Sequence, residues 1–140
     1  MLSRGGLLVV LGAFALGAPG SAAAKGPNVA RVCGASGCTT LRGESAVQPL
    51  ISWWYTPFSS RRAPRPAPYY SIAIRDPSGV RWSLLYVPSR RAMRIWQNRV
   101  PPYNQPIGPY WRDVPAAAVS GLGRVAAGLK PYAAPSAWRR

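Results

Sequence analysis

The chain has 140 residues, with 18 lysines and arginines against three acidic residues, no histidine, and a formal net charge of +15 at pH 7. With no histidine and so few carboxylates, the sequence lacks most groups that act as general acids or bases, and its two cysteines cannot complete a four-ligand zinc site. We therefore predict a protein that is not an enzyme and holds no metal or cofactor, and whose positive charge favours an anionic partner.

The first 24 residues predict a cleavable secretory signal. Arg4 precedes an uncharged apolar run over 7–16, and the small residues at 22–24 suit cleavage after Ala24. An apolar helix of ten residues spans about 15 Å, half of a hydrocarbon core of roughly 30 Å, so a membrane anchor is disfavoured. Removal of the signal leaves one small basic domain, residues 25–140, secreted or held at the cell envelope.

Two cysteines predict a disulfide-closed hairpin near the start of that domain. Cys33 and Cys38 enclose four residues, and the segments on either side are β-prone. A thioredoxin-like redox pair has two intervening residues, so a structural disulfide is favoured over a redox role. A loop this short contributes only about 2 kcal/mol of chain-entropy stabilisation.

The next segments are short or irregular. Residues 44–48 predict a short helical turn before Pro49, and the apolar run 50–55 suits either a strand or a buried loop. Residues 56–68 contain four prolines and three arginines. Proline removes backbone donors and fixes φ, so this segment is predicted to be an extended surface connection.

A second hairpin has the clearest pattern in the chain. Residues 69–75 and 80–87 flank Asp76-Pro77-Ser78-Gly79, which has the residue placement of a type I turn. Tyr70, Ile72 and Ile74 alternate onto one face of their strand, and Trp82, Leu84 and Tyr86 do so on its partner. One face of this sheet is therefore expected to be buried.

A C-terminal helix is predicted to cover that face. From Val114 onward, apolar residues recur at steps of three and four, with Asp113 placed to cap the helix and Pro131 to end it. The predicted fold class is α+β, a small antiparallel sheet of hairpins with one amphipathic C-terminal helix packed on one face.

Arginines are interleaved with apolar residues in one segment, 90–99. Such a stretch can bind phosphates while its tryptophan packs into a lipid interface or against a base. Under the competing interpretation, Ile95 and Trp96 belong to another strand that packs on the core, and the arginines are merely solvated, a consequence of high-G+C coding. The anion-binding candidates are Arg90, Arg91, Arg94, Arg99 and Trp96, together with Arg61, Arg62 and Arg65 upstream.

Two functional classes follow from these candidates. The first is binding of an anionic membrane surface or cell-wall polymer through an Arg/Trp face. The alternative is an extracellular protein-protein interaction or inhibitor module, with another exported protein as partner and with Trp53, Trp54, Tyr55 or the loop 103–111 as anchors. Nucleic acid is disfavoured because the signal directs the chain out of the cytoplasm. Phosphate binding should weaken steeply with salt, whereas an aromatic contact should not.

Several short patterns are shared with other exported proteins. The chain resembles uncharacterised small exported proteins of high-G+C Gram-positive bacteria in four places: the segment 32–38, the pair Tyr69-Tyr70, the run 86–89 and the C-terminal Gly128-Leu129-x-Pro131. The resemblance spans most of the mature chain and implies export and the disulfide hairpin, but no activity.

Overall fold

One open antiparallel sheet organises the part of the chain that the computed structural model describes, residues 26–55, 60–100 and 104–139. The predicted signal, 1–24, lies outside those residues. Within them the strands are β1 (Val29–Gly34), β2 (Gly37–Arg42), β3 (Tyr70–Arg75), β4 (Arg81–Val87), β5 (Ala92–Val100) and β6 (Gln105–Asp113), and the α-helices are α1 (Glu44–Ile51) and α2 (Ala116–Ala126). The strands lie in the order β2-β1-β3-β4-β5-β6.

The two predicted hairpins are confirmed. Cys33 and Cys38 lie directly opposite each other on β1 and β2 and form a disulfide with an S–S distance of 2.05 Å. In the turn between β3 and β4, the Gly79 amide donates to the Asp76 carbonyl, and the Asp76 carboxylate accepts hydrogen bonds from the Ser78 hydroxyl and the Val80 amide. Asp76 therefore holds this turn closed through both backbone and side chain.

Helix α1 is longer than the predicted turn, and the strand or loop predicted for 50–55 is wrong. The helix runs through Pro49 to Ile51, and a 3-10 turn over Ser52–Tyr55 follows it. Val47, Leu50 and Ile51 are all fully buried, at the i, i+3 and i+4 spacing of one helical face. Their burial outweighs the hydrogen bond that Pro49 cannot donate.

Strand β6 was predicted to be a loop, and that prediction is wrong. Residues 105–113 pair with β5 at the edge of the sheet, with register shifts around Gln97. Pro106 and Pro109 are compatible with this position because an edge strand leaves half of its backbone donors unpaired. Strand β5 agrees with the competing interpretation of segment 90–99 for Ile95, which is buried in the core, but not for Trp96, which is half-buried on the opposite face of the sheet.

Both helices pack on the same face of the sheet, and the predicted fold class is confirmed, with α1 as an additional cover. Helix α2 buries Ala118, Leu122 and Ala126. Asp113 does not cap it: Pro115 occupies the N-cap position, and Asp113 ends β6 and forms an ion pair with Arg61. The buried residues of this main core are Ala30, Val32, Val47, Leu50, Ile51, Trp53, Tyr70, Ile72, Ile74, Leu84, Tyr86, Met93, Ile95, Val114, Ala118, Leu122 and Ala126.

Two glycine-to-alanine substitutions should have opposite effects on stability. The turn of the first hairpin docks on the C-terminal segment, where the Ala35 amide donates to the Lys130 carbonyl, and a Cβ on Gly34 would overlap that carbonyl oxygen. Gly34→Ala should lower the free energy of unfolding by about 1–3 kcal/mol, as overpacking does. Gly123 lies inside α2 with open space where a Cβ would be, so Gly123→Ala should raise the free energy of unfolding by about 1 kcal/mol. Urea unfolding measures both changes, and an unchanged midpoint for Gly34→Ala would contradict the docking of the turn.

Candidate functional site on the open face of the sheet

The face of the sheet opposite the two helices carries a regular array of side chains. Because the strands are paired in register, residues on this face form rows that run across the strands. The first row is Arg42, Val29, Arg75, Arg81; the second is Thr40, Arg31, Ala73, Ser83, Trp96; the third is Cys38, Cys33, Ser71, Leu85, Arg94, Trp111. We call these rows, without Trp111, the open face.

Two chain segments, residues 60–69 and 132–138, cover the end of this side of the sheet beyond the third row; we call them the covering segments. Ala67, Val87, Ala92 and Trp111 form a second buried cluster there. The Trp138 ring packs on the Trp111 ring, with centroids 5.1 Å apart. Over residues 60–68 the predicted proline-rich connection contains neither helix nor strand, apart from an isolated bridge from Arg61 to Trp111, and its Ala67 belongs to this cluster. Residues 56–59 lie outside the described part of the chain.

Backbone and side-chain hydrogen bonds hold both covering segments in place. The Arg61 amide donates to the Trp111 carbonyl at 2.9 Å, and the Trp138 indole N–H donates to the Pro64 carbonyl at 2.7 Å. Tyr69 and Tyr132 exchange backbone hydrogen bonds at 3.2 and 2.8 Å. The covering segments therefore stop at the third row and leave the open face to solvent.

The open face is concave and forms a groove across the sheet. Two adjoining depressions, of about 640 and 660 Å³, share Arg31, Ala73, Ser83 and Trp96. Ala73 and Ser83 are small residues in the middle of the second row, so the longer side chains around them stand above the floor. Each depression has the volume of a typical ligand site.

Positive charge on this groove has no carboxylate to balance it. Its arginines are Arg31, Arg42, Arg75, Arg81 and Arg94. Asp113 forms an ion pair with Arg61 and lies beyond the third row. The Asp76 carboxylate is engaged by its own turn, and Glu44 begins α1 and lies beside Gly26. The five guanidinium groups are therefore available to an external anion.

The residues predicted from segment 90–99 do not form one surface. Arg94 and Trp96 point into the groove, on alternate positions of β5. Arg90 lies in the 3-10 turn before β5, Arg91 follows it, and the Arg99 guanidinium donates to the Ser78 carbonyl.

The upstream candidates lie on the covering segment. Arg61 is paired with Asp113, and Arg62 and Arg65 are exposed. The structure thus keeps two of the eight predicted residues at the groove. It adds Arg31, Arg42, Arg75 and Arg81, which occupy solvent-facing alternate positions of strands whose other face is apolar.

Two of the tryptophans considered as anchors for a protein partner are buried. Trp53 is 6% exposed and Trp111 is 8% exposed. The side chains of Trp54 and Tyr55, and Tyr103 as a whole, lie outside the described part of the chain. The interaction-module alternative consequently loses Trp53 and Trp111 as exposed anchors.

Comparisons with protein-family models, with curated proteins and with solved structures yielded no match. Across the described ranges, no helix is both long and apolar enough to cross a bilayer. No three Cys, Asp or Glu side chains come together there as a possible metal site.

Charge repulsion within the groove should be measurable as a stability effect. Arg75 and Arg81 lie directly opposite each other on β3 and β4. Like charges at such a position are destabilising, by an amount in the range of about 0.2–1 kcal/mol. Arg75→Thr retains a β-prone side chain and should raise the melting temperature at low ionic strength. The gain should shrink in 1 M salt, where the Debye length is about 3 Å; a gain independent of salt would contradict the electrostatic cause.

Proposed function

We propose that this protein is an exported, non-enzymatic binding protein that holds an anionic polymer or surface of the cell envelope on the open face of its sheet. The observation that carries the proposal is the set of five arginines on one concave face with no carboxylate among them. Arg75 and Arg81 lie directly opposite each other, and like charges at such a position are destabilising, so this face carries a cost in stability that a bound anion would offset.

The chemistry of arginine suits such a ligand. Its planar guanidinium donates paired hydrogen bonds to phosphate or carboxylate oxygens, and it remains charged at any physiological pH. Arg42, Arg75 and Arg81 lie in one row across β2, β3 and β4, so consecutive anionic groups of a chain can be bound side by side. A polymer chain can lie along this row, where all three arginines are exposed.

Three features support export. The Cys33–Cys38 disulfide is of a kind that persists outside the reducing cytosol. The predicted signal at 1–24 and the resemblance to exported proteins point the same way, and cleavage after Ala24 is checked by N-terminal sequencing of the secreted protein.

The proposal is tested with inorganic polyphosphate as ligand and the purified protein with its disulfide intact. The triple variant Arg42→Ser, Arg75→Ser, Arg81→Ser should bind about a hundredfold more weakly in 50 mM salt, at about 1 kcal/mol per arginine. A matched control, Arg62→Ser, Arg65→Ser, Arg124→Ser, removes the same charge from exposed residues outside the groove and should retain most of the affinity.

The two triple variants distinguish binding at the open face from binding that depends only on the net charge of the protein. Equal losses in the two triple variants would show that only net charge matters and would reject the open face as the site. Vesicles containing anionic lipid serve as the second ligand: binding to polymer and not to vesicles agrees with a groove, and tight binding to vesicles alone would move the function to a membrane surface.

A further inference from the structure

The two halves of the groove differ in chemistry, and this difference bears on the ligand. Beyond the shared residues, the half at the first row includes three arginines, Arg42, Arg75 and Arg81, with Val29, Cys38 and Thr40 beside them. The other half includes one arginine, Arg94, among Cys33, Ser71, Leu84, Leu85 and Pro109. The first half is therefore richer in guanidinium groups, and the other half is more apolar, with the Ser71 hydroxyl in it.

Trp96 stands at the junction of these halves. It lies directly opposite Ser83 on β4, and Ala73 lies one strand further along the same row. Its side chain is half-buried, and residues this small beside a large indole leave a recess along the ring. Flat rings stack on exposed aromatic faces, and a tryptophan beside a recess is suited to one ring of a ligand.

The cationic row is within reach of that recess. Arg81 lies two residues before Ser83 on β4, which is about 7 Å along the strand, and Trp96 is one strand over, about 4.8 Å away. A unit that joins an anionic group directly to a ring can therefore contact a guanidinium and the indole at the same time. If Arg81 and Trp96 lay much farther apart, one such unit could not contact both of them.

On the basis of the proposed function, we infer that the groove binds an acidic glycan, a polymer whose sugar rings carry phosphate or carboxylate groups. The anionic groups lie on the arginine row, and one ring packs on Trp96 and Pro109. The sugar hydroxyls hydrogen-bond to Ser71 and Ser83. A hydrocarbon chain in the same place would bury those serine hydroxyls without partners, which is unfavourable.

The Trp96→Ala variant tests this inference with probes that differ in whether they carry a ring. Hyaluronan and dextran phosphate are anionic sugar polymers, and inorganic polyphosphate has charge and no ring. Trp96→Ala should bind both sugar polymers about tenfold more weakly, as the loss of one stacked ring does, and should bind polyphosphate within twofold of the parent protein. Trp96→Phe should restore part of the lost affinity, and thermal unfolding confirms that each variant is folded.

Other outcomes would reject the sugar subsite, the glycan as ligand, or the proposed function. An equal loss for all three probes, or no loss for either sugar polymer, would reject the sugar subsite while the arginine variants still decide the proposed function. A larger loss for oligothymidylate than for the sugar polymers would assign the recess to a nucleobase and reject the glycan. Failure of the parent protein to bind any polyanion would reject the proposed function itself.

Discussion

The affinity of the protein for polyphosphate is expected to fall about a hundredfold when the salt concentration rises from 50 to 200 mM. Each phosphate that an arginine neutralises releases condensed counterions, with a slope of about −0.7 per contact on a single-stranded polyanion. Five arginines on the open face give a slope of about −3.5 in a plot of log K against log salt, and a fourfold rise in salt then produces that loss. Fluorescence anisotropy with labelled polyphosphate measures the slope directly.

The slope of log K against log salt also indicates how many arginines contact the polyphosphate. The triple variant at Arg42, Arg75 and Arg81 should have a slope smaller in magnitude by about 2, because three contacts are lost. The control at Arg62, Arg65 and Arg124 should keep the slope of the parent protein. A flat salt response in the parent would contradict phosphate binding by this face and would favour a contact made through aromatic anchors.

The sequence predicted hairpins where turn chemistry and a period of two coincided. Asp76 and Gly79 mark the turn between β3 and β4, and the alternation of Tyr70, Ile72 and Ile74 marks the buried face. Local pattern was insufficient for β6, because Pro106 and Pro109 are typical of loops. Their positions become compatible with a strand only when it lies at the sheet edge, which is a property of the whole fold.

Helix α1 could not be delimited from local rules either. Proline usually ends a helix, so the predicted turn stopped before Pro49. The helix continues because Leu50 and Ile51 complete one apolar face with Val47 against the sheet. Gly121 of α2 packs beside Pro49: a Cβ at Gly121 would lie 3.8 Å from the Pro49 carbonyl oxygen, an ordinary van der Waals distance, so α2 and α1 are in contact there.

Local sequence pattern also predicted only part of the candidate site. Arg94 and Trp96 were found because they are neighbours in the chain, within one arginine-rich segment. Arg42, Arg75 and Arg81 were missed because only the strand order brings β2, β3 and β4 together. The alternate, solvent-facing positions of each strand could have predicted them. Once one face of the sheet is assigned to the core, arginines at the alternate positions must lie on the other face.

Trp53→Ala is expected to lower the free energy of unfolding by about 3–5 kcal/mol, the range for deletion of a large buried aromatic side chain. Trp53 is buried, and its indole N–H donates to the Leu50 carbonyl at 3.0 Å. The Arg112 guanidinium lies over its ring, with Cζ 4.5 Å from the centroid, and is itself only 3% exposed. Burial lowers the pKa of Arg112, opposed by a favourable interaction with Tyr110, so loss of the stacked ring removes support from a buried cation.

The Trp53 variants also separate a core residue from an interface anchor. Trp53→Phe retains an aromatic face for Arg112 and loses the N–H donor, so it should be markedly less destabilising than Trp53→Ala in urea unfolding. Because Trp53 belongs to the helix-covered core, the folded fraction of either variant should bind polyphosphate as the parent protein does. A Trp53→Ala protein with unchanged stability that had lost a protein partner would instead identify Trp53 as an anchor and revive the interaction-module alternative. Together the two measurements assign Trp53 either to the core or to a binding surface, since only a core residue combines a large loss of stability with unaltered binding.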